Sequence, residues 1–139
     1  MARLKEKVAL VTGGASGIGL GICKAFVKEG AHVLLTDISK TGERHISKMD
    51  LKFGGSIAFQ KLDVADEHQW ANAYSYVRRK FGHLDILVNN AGTSRAGPFV
   101  EISDKDWQND FELKLFAAIR LCRLALPKMA TRKWGRVIN

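Results

Sequence analysis

Short apolar runs alternate with longer stretches of helical periodicity along the whole chain. The runs predict five strands: Val8–Thr12, His32–Asp37, Ser56–Lys61, Asp85–Asn89 and Arg136–Asn139. Between them, apolar residues recur every three or four positions, which predicts an amphipathic helix after each of the first four strands. The strand runs are almost continuously apolar, as in parallel strands that are buried on both faces.

Capping residues and glycines define the ends of the helices. They predict Ile18–Glu29 closed by Gly30, Lys40–Phe53, a third helix from Asp66 to Gly82, and a long one from Ser103 to about Ala130. The resulting β-α-β-α-β-α-β-α-β order predicts the α/β class. We expect a doubly wound parallel sheet of the Rossmann type, with strand one beside strand four and the chain stopping within strand five.

A glycine-rich turn joins the first strand to the first helix, where residues 12–19 read TGGASGIG. Gly13 lets the chain turn sharply, Gly17 lets a ligand approach the backbone, and Gly19 lets the helix pack closely. The helix N-terminus offers unpaired N–H groups and a positive dipole end to a phosphate. Any turn uses glycine, but the strand-turn-helix context favours a phosphate-binding loop.

Three further motifs follow the next three strands. Asp37 closes the second strand 18 residues after Gly19, Asp63 and Val64 follow the third, and residues 89–92 (Asn-Asn-Ala-Gly) follow the fourth. The carboxyl ends of parallel strands meet at one edge of the sheet, so these motifs should surround the glycine-rich turn. In this order and spacing, the four motifs together resemble the short-chain dehydrogenase/reductase family. Its members transfer a hydride between a nicotinamide cofactor and an alcohol or carbonyl.

The resemblance implies that residues 1–139 form an NAD(P)-binding domain. It implies cofactor contacts at Gly13, Ser16, Gly17, Ile18, Gly19, Asp37, Asp63, Val64, Asn90, Ala91 and Gly92. Asp37 would bind the adenosine ribose, and Asp63 and Val64 would bind the adenine. The alternative for Asp63 is that it only caps a turn at the strand end.

The choice of cofactor depends on charge near Asp37. Its carboxylate would repel the 2′-phosphate of NADP; moreover, Ser16 is uncharged and no arginine directly follows Asp37. We therefore predict NAD over NADP. The alternative is that Asp37 is a simple turn residue.

The family's catalytic residues have no matching positions in this sequence. They are a serine just after strand five and a Tyr-x-x-x-Lys pair on the following helix. Tyr76 and Lys80 have that spacing but belong to the helix after strand three, so we interpret them as a solvated helix face. A fourth family residue is an asparagine seven positions after a tryptophan, but Trp107 is followed at that distance by Lys114. Lys114 either binds substrate or water, or is a partly buried lysine whose ammonium reaches solvent.

We therefore expect an oxidoreductase of the short-chain dehydrogenase/reductase type that acts on a small-molecule secondary alcohol or carbonyl. The chain as given should bind cofactor without catalysing the reaction. The alternative is a non-catalytic dinucleotide-binding or regulatory module.

The formal net charge of the chain is +8, a property that is common among nucleic-acid-binding proteins. Residues 114–139 contain seven basic residues and no acidic ones, which is typical of a solvated helix face, so we expect no nucleic-acid partner. No apolar run is long enough to span a bilayer and no signal peptide is recognisable, so we expect no membrane association and a cytoplasmic location. Cys23 and Cys122 are expected to be reduced thiols, and no residue spacing indicates a metal site.

The predicted helix over residues 103–130 is apolar over too wide a surface for one buried stripe. Part of that surface resembles the helix-helix dimer surface of the family, which implies a homo-oligomer. A helix covered by further chain beyond Asn139 explains the pattern equally well.

Overall fold

A five-stranded parallel sheet organises the computed structural model, which describes residues 2–93 and 96–139. Its strands are β1 (Val8–Thr12), β2 (His32–Asp37), β3 (Ser56–Lys61), β4 (Ile86–Val88) and β5 (Arg136–Ile138). Their spatial order is β3-β2-β1-β4-β5, and each neighbouring pair is parallel. The predicted α/β fold class and the predicted pairing of strand one with strand four are both confirmed.

Strand β1 explains why the strands are apolar throughout. All five of its residues are buried. Val8 and Leu10 enter one core cluster, while Ala9 and Val11 enter a second cluster on the opposite face. Successive side chains of a strand point to opposite faces, so a sheet covered by helices on both sides needs apolar residues at every position.

Five α-helices accompany the sheet in the described part of the chain. They are α1 (Gly17–Lys28), α2 (Gly42–Ile46), α3 (Glu67–Phe81), α4 (Asp104–Phe111) and α5 (Ala117–Thr131), with a 3₁₀ turn at Phe99–Glu101. Helix α1 packs on one face through Cys23 and Val27, and helices α3 and α5 pack on the other through residues such as Val77 and Leu121. The ends of α1 and α3 lie within one residue of their predicted positions. Asp66 caps α3 by accepting hydrogen bonds from the backbone N–H groups of His68 and Gln69.

The prediction of a helix over Lys40–Phe53 was wrong in length, since α2 covers only Gly42–Ile46. Beyond it, Phe53 and Gly54 adopt left-handed backbone conformations with φ of 53° and 80°, which are incompatible with an α-helix. Phe53 is also 56% exposed, so core packing does not hold this end of the predicted helix. Most helices in proteins depend on such packing for their stability.

The long helix predicted from Ser103 to Ala130 is divided by a π-helical turn. Ser103 caps α4 as predicted, and its hydroxyl accepts a hydrogen bond from the backbone N–H of Asp106. Residues Glu112–Phe116 then form the π-helical turn before α5 begins. A π turn adds one residue to a turn of helix, so it changes the face that later residues present, and such turns often occur at functional sites.

The excess of basic residues in the C-terminal part is partly compensated. Lys114, Arg120 and Arg132 form ion pairs with Asp110, Glu112 and Asp85. All three carboxylates precede the basic region in the sequence. The helical segment brings Asp110 and Glu112 to it, and the pairing of β4 with β5 brings Asp85. No helix among the described residues combines the length and the apolar character that crossing a membrane would require.

The two cysteines provide a test of the packing. Cys23 is fully buried on α1, and burial raises the pKa of its thiol to about 12, whereas Cys122 on α5 is half-buried. Only the thiolate reacts with disulfide reagents, so Cys23 should stay unreactive in the folded protein at pH 8. A thiol assay should therefore detect one thiol in the native chain and two after denaturation.

The matched variant is Cys122→Ser, which should leave almost no reactivity in the native state. Rapid reaction of two thiols in the native wild-type chain would show that α1 is not packed as described.

Candidate functional site

A cleft of about 610 Å³ lies at the carboxyl end of the sheet, where the loops after β1, β2, β3 and β4 meet. Its volume is in the range of small-molecule sites in proteins. It is lined by Gly13, Ser16, Gly17, Ile18, Asp37, Ile38, Leu62, Asp63, Val64, Asn90, Ala91, Gly92, Thr93 and Leu113. The structure thus gathers ten of the eleven predicted contact residues around one cleft, and the eleventh, Gly19, lies behind the loop.

The hydroxyl of Thr12 holds the two central loops of the cleft together. It donates a hydrogen bond to the carbonyl oxygen of Val88, 3.2 Å away, and accepts bonds of 3.0 Å from the backbone N–H groups of Asn90 and Ala91. A hydroxyl has one donor and two acceptor positions, so its hydrogen-bonding capacity is fully used. Thr12 is 1% exposed, and water therefore does not compete for these partners.

The side-chain amide of Asn90 makes a second link between the same loops. Its Nδ2 donates to the carbonyl oxygens of Thr12 and Gly13, at 3.0 and 3.1 Å. These bonds connect the loop after β4 to the start of the glycine-rich turn. They also orient the backbone of Ala91 and Gly92 along one wall of the cleft.

The structure requires glycine at different positions of the turn for different reasons. A Cβ on Gly13 would lie 2.9 Å from the Cα of Ala91, and a Cβ on Gly19 would overlap the carbonyl oxygen of Gly13. Both are therefore required by the packing of the loops. Gly17 has a φ of 50°, and no described atom lies within 4 Å of the position of a Cβ there. The space in front of Gly17 belongs to the cleft.

The N-terminus of α1 faces this space. Its N-cap residue, Ser16, makes no side-chain cap hydrogen bond within the described chain. The first N–H groups of a helix need partners, and together with the helix dipole they favour an anion. The open position at Gly17 and the uncapped helix end therefore fit a phosphate group.

Asp37 lies at the end of β2 and ties the glycine-rich turn to that strand. Its two carboxylate oxygens accept hydrogen bonds from the backbone N–H groups of Ala15 and Ser39, at 3.0 and 2.9 Å. Each carboxylate oxygen can accept a second bond, so the side chain keeps capacity for ligand hydroxyl groups. Asp37 thus has a structural role in addition to the predicted contact with a ribose.

Asp63 has the turn-capping role, which is one of the two interpretations that the sequence left open. Its side chain accepts a hydrogen bond of 2.9 Å from the backbone N–H of Ala65, which is the turn-capping role. Asp63 also lines the cleft beside Val64, which is 5% exposed and belongs to the core below. Capping the turn therefore holds Asp63 at the edge of the cleft.

Sequence reasoning missed four residues of the cleft lining: Ile38, Leu62, Thr93 and Leu113. Ile38 is 62% exposed and Ile18, on the same cleft, is 77% exposed. Exposed apolar side chains beside backbone donors are a common feature of small-molecule sites. Ile38 could have been found from the sequence, because it is an apolar residue directly after Asp37, which ends the strand.

Lys114 lies in the π-helical turn beside the far end of the cleft. Its ammonium is 2.8 Å from one carboxylate oxygen of Asp110, one helical turn earlier. Its methylene groups lie 3.4–3.5 Å from the position of a Cβ on Gly92, so the stem covers this glycine. The side chain is 41% exposed and lines the groove along α5 and the small cavity behind Ala91, outside the lining of the cleft.

Lys80 lies on the solvent side of α3, as predicted, whereas the ring of Tyr76 is partly buried against the core. The Lys80 ammonium donates a 3.0 Å hydrogen bond to the Tyr76 hydroxyl on an exposed surface. Among the described residues, neither side chain contributes to the lining of the cleft.

The links between the loops yield a stability prediction. Thr12→Val removes a hydroxyl that serves three backbone groups, and we expect it to lower the free energy of unfolding by about 2–4 kcal/mol. The matched control is Thr36→Val. The Thr36 hydroxyl is equally buried, but its hydrogen bonding within the described residues is to the carbonyl oxygen of Val11 alone. The control should lose only about 1 kcal/mol in urea unfolding. Equal losses in the two variants would contradict the role assigned to Thr12.

Known proteins resemble the chain over nearly its whole length. Oxidoreductase UcpA of Escherichia coli K12 is 36% identical over 138 residues, which are 99% of this chain and 52% of that protein. D-beta-hydroxybutyrate dehydrogenase of Cupriavidus necator is 34% identical, over 98% of this chain and 53% of that protein. The solved structure of L-sorbose reductase from Gluconobacter frateurii, complexed with NADPH and L-sorbose, is 38% identical with a TM-score of 0.88. The match covers 98% of this chain and 52% of that structure.

The chain thus spans about half the length of the relatives that it matches. The family model for short chain dehydrogenases matches residues 7–139, which include the glycine-rich turn and the motifs after β2, β3 and β4. The chain belongs to the short-chain dehydrogenase family.

Proposed function

We propose that this chain is the cofactor-binding part of an oxidoreductase that transfers a hydride between a nicotinamide cofactor and a secondary alcohol or carbonyl. The observation that carries the proposal is the open space at Gly17 in front of the N-terminus of α1. Family membership supports it, because short-chain dehydrogenases bind a nicotinamide cofactor. The nicotinamide ring supplies the hydride chemistry when the cofactor is bound.

The residues of the chain bind and orient the cofactor in this proposal. Backbone N–H groups around Ser16, Gly17 and Ile18 hold the pyrophosphate, with Gly13 and Gly19 shaping the turn. Asp37 accepts hydrogen bonds from the adenosine ribose, and Asp63 and Val64 hold the adenine. The backbone of Asn90, Ala91 and Gly92 borders the second ribose.

Proton transfer to or from the substrate is a separate requirement. The family resemblance assigns it to a serine and a Tyr-x-x-x-Lys pair, which have no counterparts at matching positions here. We therefore propose that these 139 residues alone bind the cofactor without turning over an alcohol.

We further propose that NAD is preferred over NADP. Among the described residues that line the cleft, two are carboxylates, Asp37 and Asp63, and none is a lysine or arginine. A 2′-phosphate on the ribose at Asp37 would place like charges together without a compensating cation. The solved complex of L-sorbose reductase contains NADPH, so the proposed preference for NAD rests on Asp37 and not on that relative.

Titration of the chain with NADH and with NADPH tests the proposed cofactor site and the proposed preference for NAD. We expect NADH to bind the chain about tenfold more tightly than NADPH, a difference of about 1.4 kcal/mol, as measured by calorimetry. Asp37→Asn removes the repulsion while retaining a hydrogen-bonding side chain, and it should reduce the ratio of the two dissociation constants to about two.

Asp63→Asn is the matched control, because it removes the same charge from the adenine end of the cleft. It should weaken NADH and NADPH by similar factors and leave their ratio unchanged. Tighter binding of NADPH than of NADH by the wild-type chain would overturn the NAD preference, and failure to bind either would overturn the proposed cofactor site.

We also propose that the chain self-associates through the outer face of α4, the π-helical turn and α5. Phe111, Leu115, Ile119 and Leu126 are 37–50% exposed along this face. The same face borders an apolar groove of about 780 Å³. Contiguous exposed apolar surface of this kind marks interaction sites.

A charged substitution should disrupt this association. Leu115→Glu is expected to shift the chain toward the monomer in sedimentation velocity, because a carboxylate would be buried in an apolar contact. Leu51→Glu is the control, since Leu51 is also 48% exposed but follows α2, outside this face. A wild-type chain that is monomeric at about 100 μM, or equal effects of both variants, would contradict the proposal.

A further inference from the structure

The two ends of the sheet differ in charge, and the proposed function does not explain why. Four segments contain the residues that lead into β1, β2, β4 and β5 and the ends of α1, α3 and α5: residues 2–7, 28–31, 78–85 and 128–136. Together they hold eleven basic residues and three acidic ones, a balance of +8. This balance equals the formal net charge of the whole chain, so the rest of the chain has no net charge.

Hydrogen bonds between the strand starts join these four segments into one surface, the basic face. The backbone N–H of His32 donates to the carbonyl oxygen of Lys7 at 2.8 Å, and that of Asp85 donates to Val8 at 2.9 Å. The N–H of Arg136 donates in turn to the carbonyl oxygen of Asp85 at 2.9 Å. Because the strands are parallel, these contacts lie at their amino ends, whereas the cleft lies at the carboxyl ends. The excess charge therefore faces away from the cleft.

Two of the three carboxylates on the basic face are already paired. Glu29 forms an ion pair with Arg3. Asp85 is buried and is contacted by Arg132 and His83. The exposed basic residues of the face that form no ion pair with other described residues are Lys5, Lys28, Arg78, Arg79, Lys80, Lys128, Lys133 and Arg136. A partner of complementary charge for this face is anionic.

The aromatic rings of the basic face already carry partners. The ammonium of Lys7 lies 4.1 Å from the ring centroid of the half-buried Trp134, and the guanidinium carbon of Arg136 lies 5.0 Å from it. The ring of Phe81 stacks on that of His32, with centroids 5.5 Å apart. Proteins that bind single-stranded nucleic acids offer free aromatic rings to the bases. Rings that are already covered do not favour such a partner.

An exposed aromatic side chain beside the basic face favours a lipid surface instead. Phe53 is 56% exposed and has a φ of 53°, which is uncommon for a bulky residue. Its Cβ and the Cα of Lys5 lie 3.3 and 3.2 Å from the position of a Cβ on Gly30, so Phe53 borders the face next to Lys5. Leu51, in the same segment, is 48% exposed. Apolar side chains beside lysines suit a bilayer surface, where the apolar groups enter the headgroup region and the ammonium groups meet lipid phosphates.

From these contacts, we propose that the basic face and Phe53 bind the chain to the surface of an anionic lipid bilayer. The cleft, at the other end of the sheet, stays open to solution in this orientation. The expectation of no membrane association followed from the lack of a long apolar run, and binding at the surface needs none. The inference does not depend on the proposed cofactor site.

Co-sedimentation with vesicles tests the proposal. Each lysine or arginine close to an anionic surface strengthens binding about fivefold. The wild-type chain should therefore bind vesicles with about 30% phosphatidylserine at least about 100-fold more strongly than vesicles of phosphatidylcholine alone. The difference should shrink as the salt concentration rises, because salt screens the attraction.

A pair of double variants separates the basic face from net charge. Lys80→Gln with Lys133→Gln removes two exposed charges from the face and should weaken binding to the anionic vesicles about 25-fold. Lys40→Gln with Lys105→Gln is the matched control. It removes two exposed charges outside the face, so the net charge changes equally, and it should weaken binding less than about threefold.

The apolar contribution is tested at Phe53. Asparagine tolerates the left-handed backbone conformation, so Phe53→Asn should keep the fold while removing the ring. We expect it to weaken binding to the anionic vesicles about tenfold. Val100→Asn is the control, because Val100 is 90% exposed but follows β4 at the cleft end of the sheet, and it should have no effect.

Three results would overturn the proposal: no binding to the anionic vesicles, equal binding to both kinds of vesicle, or equal losses in the two double variants. A single-stranded oligonucleotide serves as the competing probe. If it binds the wild-type chain more strongly than the anionic vesicles do, and Lys80→Gln with Lys133→Gln weakens it while Phe53→Asn does not, the face binds nucleic acid and the proposal is wrong.

Discussion

The arrangement of the site depends on one buried hydroxyl, that of Thr12. It bonds to backbone groups on both sides of the β4 end, at Val88, Asn90 and Ala91. Strands β1 and β4 are neighbours in the sheet, but the chain leaves β1 for α1 and reaches β4 only after two further strands. Because adjacent strands lead to opposite faces at this point, a crevice opens between their loops. The Thr12 hydroxyl fixes the width of that crevice.

The glycines show how the same loop meets two requirements. Gly13 and Gly19 are required by the protein itself, since a Cβ on either would collide with backbone. Their packing brings the start of α1 close to the Thr12 link. Gly17 faces open space, so its lack of a side chain benefits whatever occupies the cleft. Asp37 then connects this loop to β2, so the charged side chain beside the cleft also maintains its shape.

Local signals allowed the strands, α1 and α3 to be predicted closely from the sequence. Their ends are marked by glycines and by the Asp66 cap, whose effects are confined to a few residues. The shortening of α2 could not be predicted, because it depends on whether the apolar side of residues 47–53 meets a core. The π-helical turn was also missed, because residues 112–116 contain no helix-breaking residue that would mark it in the sequence.

The distinction between local sequence signals and contacts that are distant in sequence also applies to the cleft. Motif residues were predictable because backbone geometry requires particular residue types at those positions. The link from Asp37 to Ala15 and the contact of Lys114 with Gly92 join residues 22 apart in the sequence in both cases, and no local pattern encodes either.

These longer contacts determine where charge lies in the cleft. Asp37 and Asp63 place negative charge in the cleft beside β2 and β3, whereas Lys114 packs its stem over Gly92 and is not part of the cleft lining. In the proposed cofactor site, the carboxylate of Asp37 would therefore act on the ribose phosphate that distinguishes NADP from NAD. The π-helical turn places the stem of Lys114 against Gly92 while keeping Asp110 within reach of its ammonium, so one turn sets both the packing behind Gly92 and the ion pair on the helix surface.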